Sequence, residues 1–514
     1  MLWHYLPICI RFVPKQRTEH SQAVSGIYVV KKIDGTIVDS FCLTVCHIPT
    51  DELESDHKIY VSAPQLNRES IFWRNATTTA SVSVFRPPSD PLYNYIRNAL
   101  NLGFNIFPLD SSSPSALQNI NVLQLRCSSF YTESSASLFS PLRFGAVESP
   151  AAAVVRSTPF SFTSPTMFAD FSSSGHINCV LKDSTTCYGY LSDIKYLENM
   201  CGAIANSNTG KSLGLVLGNL RKLNGDGDLL VICLWLWLWE QLMYTKKSES
   251  AVVQKQAVNQ LRILNNSPVL PIVLCLQDLG TSWGSCVLFN ERTLVTNQHV
   301  VASFSLSKEI LASILLNAEK SIALGPDDQI IFPSEGLDLA FILLSPSHQM
   351  ELAYILPANL GLSDHLKQGN VVRTAGYGLL LNENVLTPLI SEGHISSKVS
   401  LCPFLQSEPI PCMIIASARC WNGSSGGGLF NSKKELVGII CSNAQVYVPS
   451  IHGNQLPKTE KVPLFALCIP IELVIECYQR KVLGRDHSVL LKEVEQIWKL
   501  DIPHKDIFER NAKL

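Results

Sequence analysis

At 514 residues, 46% of them hydrophobic and 16% charged, the chain is too long for one ordinary core and too apolar to stay disordered, so two or three globular domains are expected. A net charge of -2 leaves no basic footprint for nucleic acid. The 16 cysteines are scattered through apolar stretches with no CxxC pair. This argues against a disulfide scaffold or structural zinc and for reduced, buried thiols.

Taken in order, Met1 to Val13 lacks a basic leader, a full apolar segment and a small-residue cleavage site, so no secretory signal is expected. Leu43-Thr44-Val45-Cys46-His47 and Asn119-Ile120-Asn121-Val122-Leu123-Gln124-Leu125 read as strands. Cys42, Cys46 and His47 lie close together, but no second cluster completes a metal site and none is expected. The most apolar run, Leu229 to Trp239, is too short for the roughly 20 residues that a bilayer requires, and reads as a buried strand and its extension. A polar break, Tyr244 to Ser250, followed by helix-like Ala251 to Ile263, marks a linker open to nicking. In the second half a hairpin is expected over Gly284 to Val295, then an apolar strand from Asp338, and strands at Met413-Ile414-Ile415-Ala416 and Leu436-Val437-Gly438-Ile439-Ile440. Ser488 to Trp498 has helical spacing, and the chain closes on Ala512-Lys513-Leu514.

The chemistry gathers around Asn422-Gly423-Ser424-Ser425-Gly426-Gly427-Gly428. A serine among glycines suits a nucleophile whose backbone amides must turn inward while a carbonyl approaches closely. A base and an orienting acid must then be found upstream. His299 follows the expected hairpin, and Asp338 opens the strand Leu339 to Leu344, where a carboxylate needs a hydrogen-bonding partner such as an imidazole N–H. Asp327, Asp328 and Asp364 stand in turn-like surroundings and fit the role less well.

The order His299, Asp338, Ser425 resembles the trypsin/chymotrypsin-like serine proteases, and its wording is similar to the Deg/HtrA branch. Further matches are Gly369 to Gly378, Ser391-Glu392-Gly393-His394-Ile395-Ser396, Glu435 to Ile439 and Phe465 to Pro470, so the resemblance spans about residues 267 to 475. It implies an oxyanion hole from the amides of Gly423 and Ser425. Gly428 departs from the family, which usually carries proline there, and a looser loop is expected.

The first half echoes the second. The distance from Gly202 to Gly214 equals that from Gly426 to Gly438, and Ser174-Gly175-His176-Ile177 answers Glu392-Gly393-His394-Ile395. A mainly β fold follows: two tandem trypsin-like double β-barrel domains, the first degenerate, with a short C-terminal helix. The expected division is a degenerate domain at 1–243, a linker at 244–266, a protease domain at 267–485, and a helix with a tail at 486–514. The degenerate copy carries His47, Asn119 and Cys201 at the triad positions, with Asn199 where the oxyanion loop wants glycine and Glu198 beside it. It is read as a decayed copy kept for structure or substrate handling.

With the tail Ala512-Lys513-Leu514, which is similar to the Ser-Lys-Leu type of peroxisomal address, the whole resembles the peroxisomal leader-peptide-processing proteases. That resemblance implies a location in the peroxisomal matrix and an import receptor that grasps the tail. It implies removal of N-terminal leaders from imported matrix enzymes, including those of fatty-acid β-oxidation. Self-cleavage, self-association and cutting beside cysteine are implied too, with no cofactor, metal, nucleic acid or membrane. The primary pocket is expected from Cys420, Val437, Gly438, Ile439 and Cys441, which would favour a small or apolar side chain, with Arg419 pointing in or out. Two alternatives stay open: a less selective quality-control protease, and a non-catalytic adaptor with a protease fold.

Overall fold

The computed structural model describes residues 2–16, 21–34, 36–66, 71–85, 91–109, 113–182, 187–222, 227–243, 267–276, 280–307, 310–317, 319–363, 365–381, 386–401, 409–442, 445–448, 458–461, 464–485 and 491–498. The expected linker at 244–266 and the tail carrying Ala512, Lys513 and Leu514 lie outside them. The chain divides into two compact units, Met1–Leu264 and Asn265–Leu514.

The first unit is two six-stranded rings. One runs Gln22–Ile33, Thr36–Cys46, Asn121–Arg126, Arg74–Ser83, His57–Ser62 and Leu2–Pro14, and closes because Leu2–Pro14 also pairs with Gln22–Ile33. Alternation drives it: Leu6, Ile8, Ile10 and Phe12 all point into one fully buried cluster with Tyr28 and Leu123. The other runs Ile204–Ser207, Ala151–Ser157, Phe171–Lys182, Cys187–Ser192, Gly227–Leu234 and Ser212–Lys222, and closes between its first and last strands.

The apolar run near residue 235 corrects an expectation. Only Gly227–Leu234 is strand, and Trp235–Met243 is a helix. Alternating Leu and Trp satisfies a period of two, yet Trp235 with Trp239 and Leu238 with Leu242 are also spaced by four, so one helical face can carry them. Trp235, Leu238 and Leu242 are buried, and Trp239 packs its ring on Trp3, Phe144 and Trp235. No helix among the described residues is long and apolar enough to cross a membrane.

In the second unit a seven-stranded sheet runs Ser321–Ala323, Ile310–Leu315, Val269–Leu276, Gly280–Asn290, Thr293–Thr296, Ala340–Leu343 and Gln329–Ile331. It is followed by a closed barrel of Val371–Gly376, Leu389–Leu401, Ile410–Ala416, Ala466–Pro470, Leu436–Ser442 and Gly428–Asn431. The architecture is mainly β with tandem double barrels, as the repeats imply. The barrel is trailed by the helices Ile471–Lys481 and Leu491–Trp498. The last is held by Val494, which is buried, and by the Trp498 indole N–H, which donates to the Cys412 carbonyl at 2.9 Å.

Candidate functional site

Register brings the acid to the base. Strand Thr293–Thr296 pairs antiparallel with Ala340–Leu343, Thr296 facing Ala340, so the residues just beyond Thr296 run beside those just before Ala340. Asp338 therefore precedes the strand rather than starting it, and His299 is the second residue of the helix Gln298–Leu306. The flanking Leu337 and Leu339 are buried, which turns the Asp338 side chain the other way. Asn297, at the helix N-cap, spends its side-chain N–H on the Asp338 carbonyl at 2.8 Å.

The two groups then meet twice. Asp338 Oδ2 lies 2.6 Å from His299 Nδ1, and Asp338 Oδ1 accepts the His299 backbone N–H at 2.9 Å. The Cys441 thiol also donates to Asp338 Oδ2, at 3.2 Å. Burial alone raises the Asp338 pKa, but the His299 ring and amide and the Cys441 thiol outweigh it and hold the carboxyl below its ordinary 3.8. The thiol moves the opposite way: burial first, then the neighbouring carboxylate, push Cys441 well above its ordinary value, so it stays a protonated donor.

The serine loop is fixed by its own amides. Ser424 N–H donates to the Trp421 carbonyl, Gly426 N–H to Ile440, and Gly427 N–H to Ser424, each at 2.9 Å. Among the described residues no backbone carbonyl takes the amides of Gly423 or Ser425. Gly423 and Gly426 have φ of 91° and 83°. At Gly426 glycine is obligatory on two counts, because a Cβ would also lie 2.0 Å from the Ser285 carbonyl and 2.3 Å from Thr296 Oγ1. The expected looseness at Gly428 is corrected: it opens a strand paired on both sides, and the space beside it is filled by the Phe430 ring and Leu436.

His299 and Ser425 line one cavity of about 320 Å³, together with Trp283, Cys420, Trp421 and Cys441. Ser425 Oγ donates to the Cys441 carbonyl at 3.2 Å. Of the expected pocket residues, Cys420 and Cys441 are at the wall, and the Cys420 thiol donates to the Phe465 carbonyl at 3.3 Å. Val437, Gly438 and Ile439 are not. Val437 and Ile439 are fully buried in the cores, and the strand reaches the cavity only at Ile440, Cys441 and Ser442. The register against Ala466–Pro470 slips between Ile440 and Ser442, a bulge that swings Cys441 toward the site. Arg419 is not among the lining residues; its carbonyl accepts the Thr374 hydroxyl at 2.7 Å.

Sequence reasoning missed Trp283 and Ser285. The Trp283 indole N–H donates to the Tyr377 carbonyl at 2.9 Å, and a Cβ on Gly423 would lie 2.4 Å from that nitrogen. Buried Ser285 bonds the serine loop directly. The only sequence signal for either was the small residues opening the hairpin.

The first unit repeats the plan atom by atom and then departs from it. Thr44 Oγ1 donates to the Ser25 carbonyl as Thr296 Oγ1 does to Ser285. Gly202, at φ 80°, matches Gly426, and Asn199, at φ 65°, takes the left-handed conformation of Gly423. Asn is the residue that tolerates this region best after glycine, so its presence does not break the loop. The side chains differ. His47 Nε2 lies 3.0 Å from the Leu217 carbonyl, the same carbonyl that accepts the Cys201 thiol at 3.4 Å. Asn119 ends a 3-10 turn, partly exposed, with its carbonyl taken by Asn121. Burial lowers the His47 pKa to about 4 and raises that of Cys201 to about 12, so both are neutral near pH 7. Cys42 pairs with Cys127 while the Cys46 thiol turns to the Ile48 carbonyl, so these do not converge with His47. Among the described residues no group of three His, Cys, Asp or Glu is placed to hold a metal.

Residues 284–439 match the family described as trypsin-like peptidase domain. Over 177 residues the chain is 28% identical to the peroxisomal leader peptide-processing protease of Mus musculus. That match covers 33% of this chain and only 27% of the relative, so it spans about a quarter of the relative's length. Among solved structures, the HtrA-type protease AlgW with tripeptide is 21% identical, covering 42% of this chain and 60% of that one at a TM-score of 0.29. Deg5 is 18% identical, covering 44% and 95% at a TM-score of 0.30. Residues 284–439, within the second unit, thus match a trypsin-like peptidase domain, and the chain is similar over a third of its length to a peroxisomal leader peptide-processing protease.

Proposed function

We propose that the protein is a serine endopeptidase in which Ser425 is the nucleophile, His299 the general base and acid, and Asp338 the group that orients the imidazole. The observation that carries this reading is the 2.6 Å contact between His299 Nδ1 and Asp338, on the same cavity as a serine whose own amide and that of Gly423 are left for a ligand. Asp338 fixes the tautomer with the proton on Nδ1, so Nε2 accepts the Ser425 proton. The hydroxyl turns from the Cys441 carbonyl toward the ring as substrate enters; loose bonds before substrate binding are ordinary in such sites. Ser425 Oγ then attacks the scissile carbonyl, and the oxyanion is met by the amides of Gly423 and Ser425, each worth about 3–4 kcal/mol. The imidazolium returns its proton to the leaving amine, and water repeats the cycle on the acyl-enzyme.

The substrate is a targeting leader at the N-terminus of an imported matrix enzyme, including enzymes of fatty-acid β-oxidation. The similarity to the mouse processing protease supports this, and the peroxisomal matrix as the location belongs to the same reading. Self-cleavage and self-association belong to the same reading. A cavity lined by Cys420 and Cys441 accepts a small or apolar side chain before the cut bond.

The test compares a leader-bearing precursor with the same enzyme lacking its leader. The expected result is one new N-terminus on the precursor, none on the leaderless form, and no cleavage by Ser425→Ala. Fragmentation of both forms would make it a quality-control protease, and stable binding without cleavage by the wild type would make it an adaptor.

A further inference from the structure

An oxyanion hole built on glycines has a weakness: the conformational freedom that lets the amides turn inward also lets them turn away. Two contacts oppose this: the Leu379 N–H donates to the Asn422 carbonyl at 2.7 Å, in the peptide that carries the Gly423 amide, and a buried side chain holds the peptide that follows it. Ser285 Oγ donates to the Gly423 carbonyl at 2.8 Å, while the Ser285 backbone N–H donates to the Ser425 carbonyl at 2.8 Å. These are the carbonyls of the two residues whose amides no backbone carbonyl accepts among the described residues. The Ser285 hydroxyl is itself aimed by the Tyr377 amide, which donates to it at 2.8 Å, and Tyr377 is held from the other side by the Trp283 indole. The Ser285 carbonyl is fixed by Thr296 Oγ1 at 2.7 Å. Every polar atom of Ser285 is therefore committed, and the residue is fully buried.

We propose that Ser285 is a positioning residue for catalysis: its hydroxyl clips the Gly423 carbonyl so that the Gly423 amide stays turned toward the developing oxyanion. This rests on the reading of Gly423 and Ser425 as the oxyanion donors. Contrast within the chain supports it. In the first unit Ser25 spends both its hydroxyl and its amide on the Asn199 carbonyl, each at 2.8 Å. Two-point grip on the donor residue and the nucleophile is thus found in the unit that carries the serine.

Ser285→Ala removes the clip and keeps the backbone bond to Ser425. Losing one oxyanion donor costs about 10²–10³-fold in rate, so kcat for peptide hydrolysis should fall by that order while KM stays within about threefold. Inhibition by a peptide aldehyde, whose hemiacetal needs the hole, should weaken in proportion. Ser25→Ala removes the equivalent hydroxyl from the first unit and controls for stability: it should lower the melting temperature comparably and leave kcat unchanged. Wild-type kcat in folded Ser285→Ala, or a fall matching only its unfolded fraction, overturns the proposal. If Ser285→Ala does not fold, Ser285→Cys keeps a weaker donor, and the same split decides: lower kcat at unchanged KM supports the clip, unchanged kcat overturns it. Full activity in Ser425→Ala would instead defeat the underlying reading of the site.

Discussion

Replacing Asp338 by Asn changes one atom and leaves the shape of the site alone, so its effect can be worked out from the hydrogen bonds. Asp338 accepts three donors: His299 backbone N–H on Oδ1, and His299 Nδ1 and the Cys441 thiol on Oδ2. An asparagine must point its NH₂ at one of the two positions. Facing the His299 backbone N–H sets donor against donor in a partly buried site, a loss of about 1–3 kcal/mol. The amide therefore keeps its oxygen there and turns NH₂ toward Nδ1. That ring nitrogen must then be the acceptor, Nε2 carries the proton, and the base cannot take a proton from Ser425. A wrong tautomer in a triad of this kind costs about 10⁴-fold in kcat, or about 5.5 kcal/mol of barrier. Kinetics of Asp338→Asn on a peptide substrate, with circular dichroism to confirm the fold, measure this. A folded variant within tenfold of wild-type kcat would refute the pairing as the source of the base's orientation.

Two further predictions concern the first unit. His47 is driven from 6.5 down to about 4 by burial, so the unfolded chain binds its proton first as pH falls. Stability is full above pH 6.5, is lost between 6.5 and about 4, and the loss totals about 3 kcal/mol. Chemical unfolding across that range should show the slope, and His47→Gln should abolish the part due to this residue; an identical slope in the variant contradicts it. Cys201, fully buried with a pKa near 12, should resist alkylation by iodoacetamide at pH 8 in the folded protein, and Cys201→Ala should leave peptide hydrolysis unchanged. Rapid native-state alkylation, or lost activity, would mean a working second centre.

Much of this was legible in the sequence because the informative features are local. The hairpin before His299, the apolar strand after Asp338 and the glycines around Ser425 each announce themselves through periodicity or composition. The duplication was visible as equal spacing of Gly202 to Gly214 and Gly426 to Gly438. What failed was geometry that no local pattern encodes. The pocket wall was placed too early along Leu436–Ser442 because a bulge at Cys441 breaks the alternation from which facing is read. The Leu-Trp run was extended as strand because alternation at two and repetition at four coincide in it. Asn199 looked disabling until its backbone was seen in the glycine conformation. Ser285 was invisible because its partners lie 92 and 138 residues away in the chain.

The most direct measurement is the site of covalent capture by a fluorophosphonate, which reacts only with a serine made nucleophilic by its neighbours. Peptide mapping of the labelled wild-type protein should find a single adduct, on Ser425, that disappears in His299→Ala. Folded protein that takes no label, or takes it on another residue with Ser425 untouched, would contradict the assignment of this cavity as a hydrolytic centre.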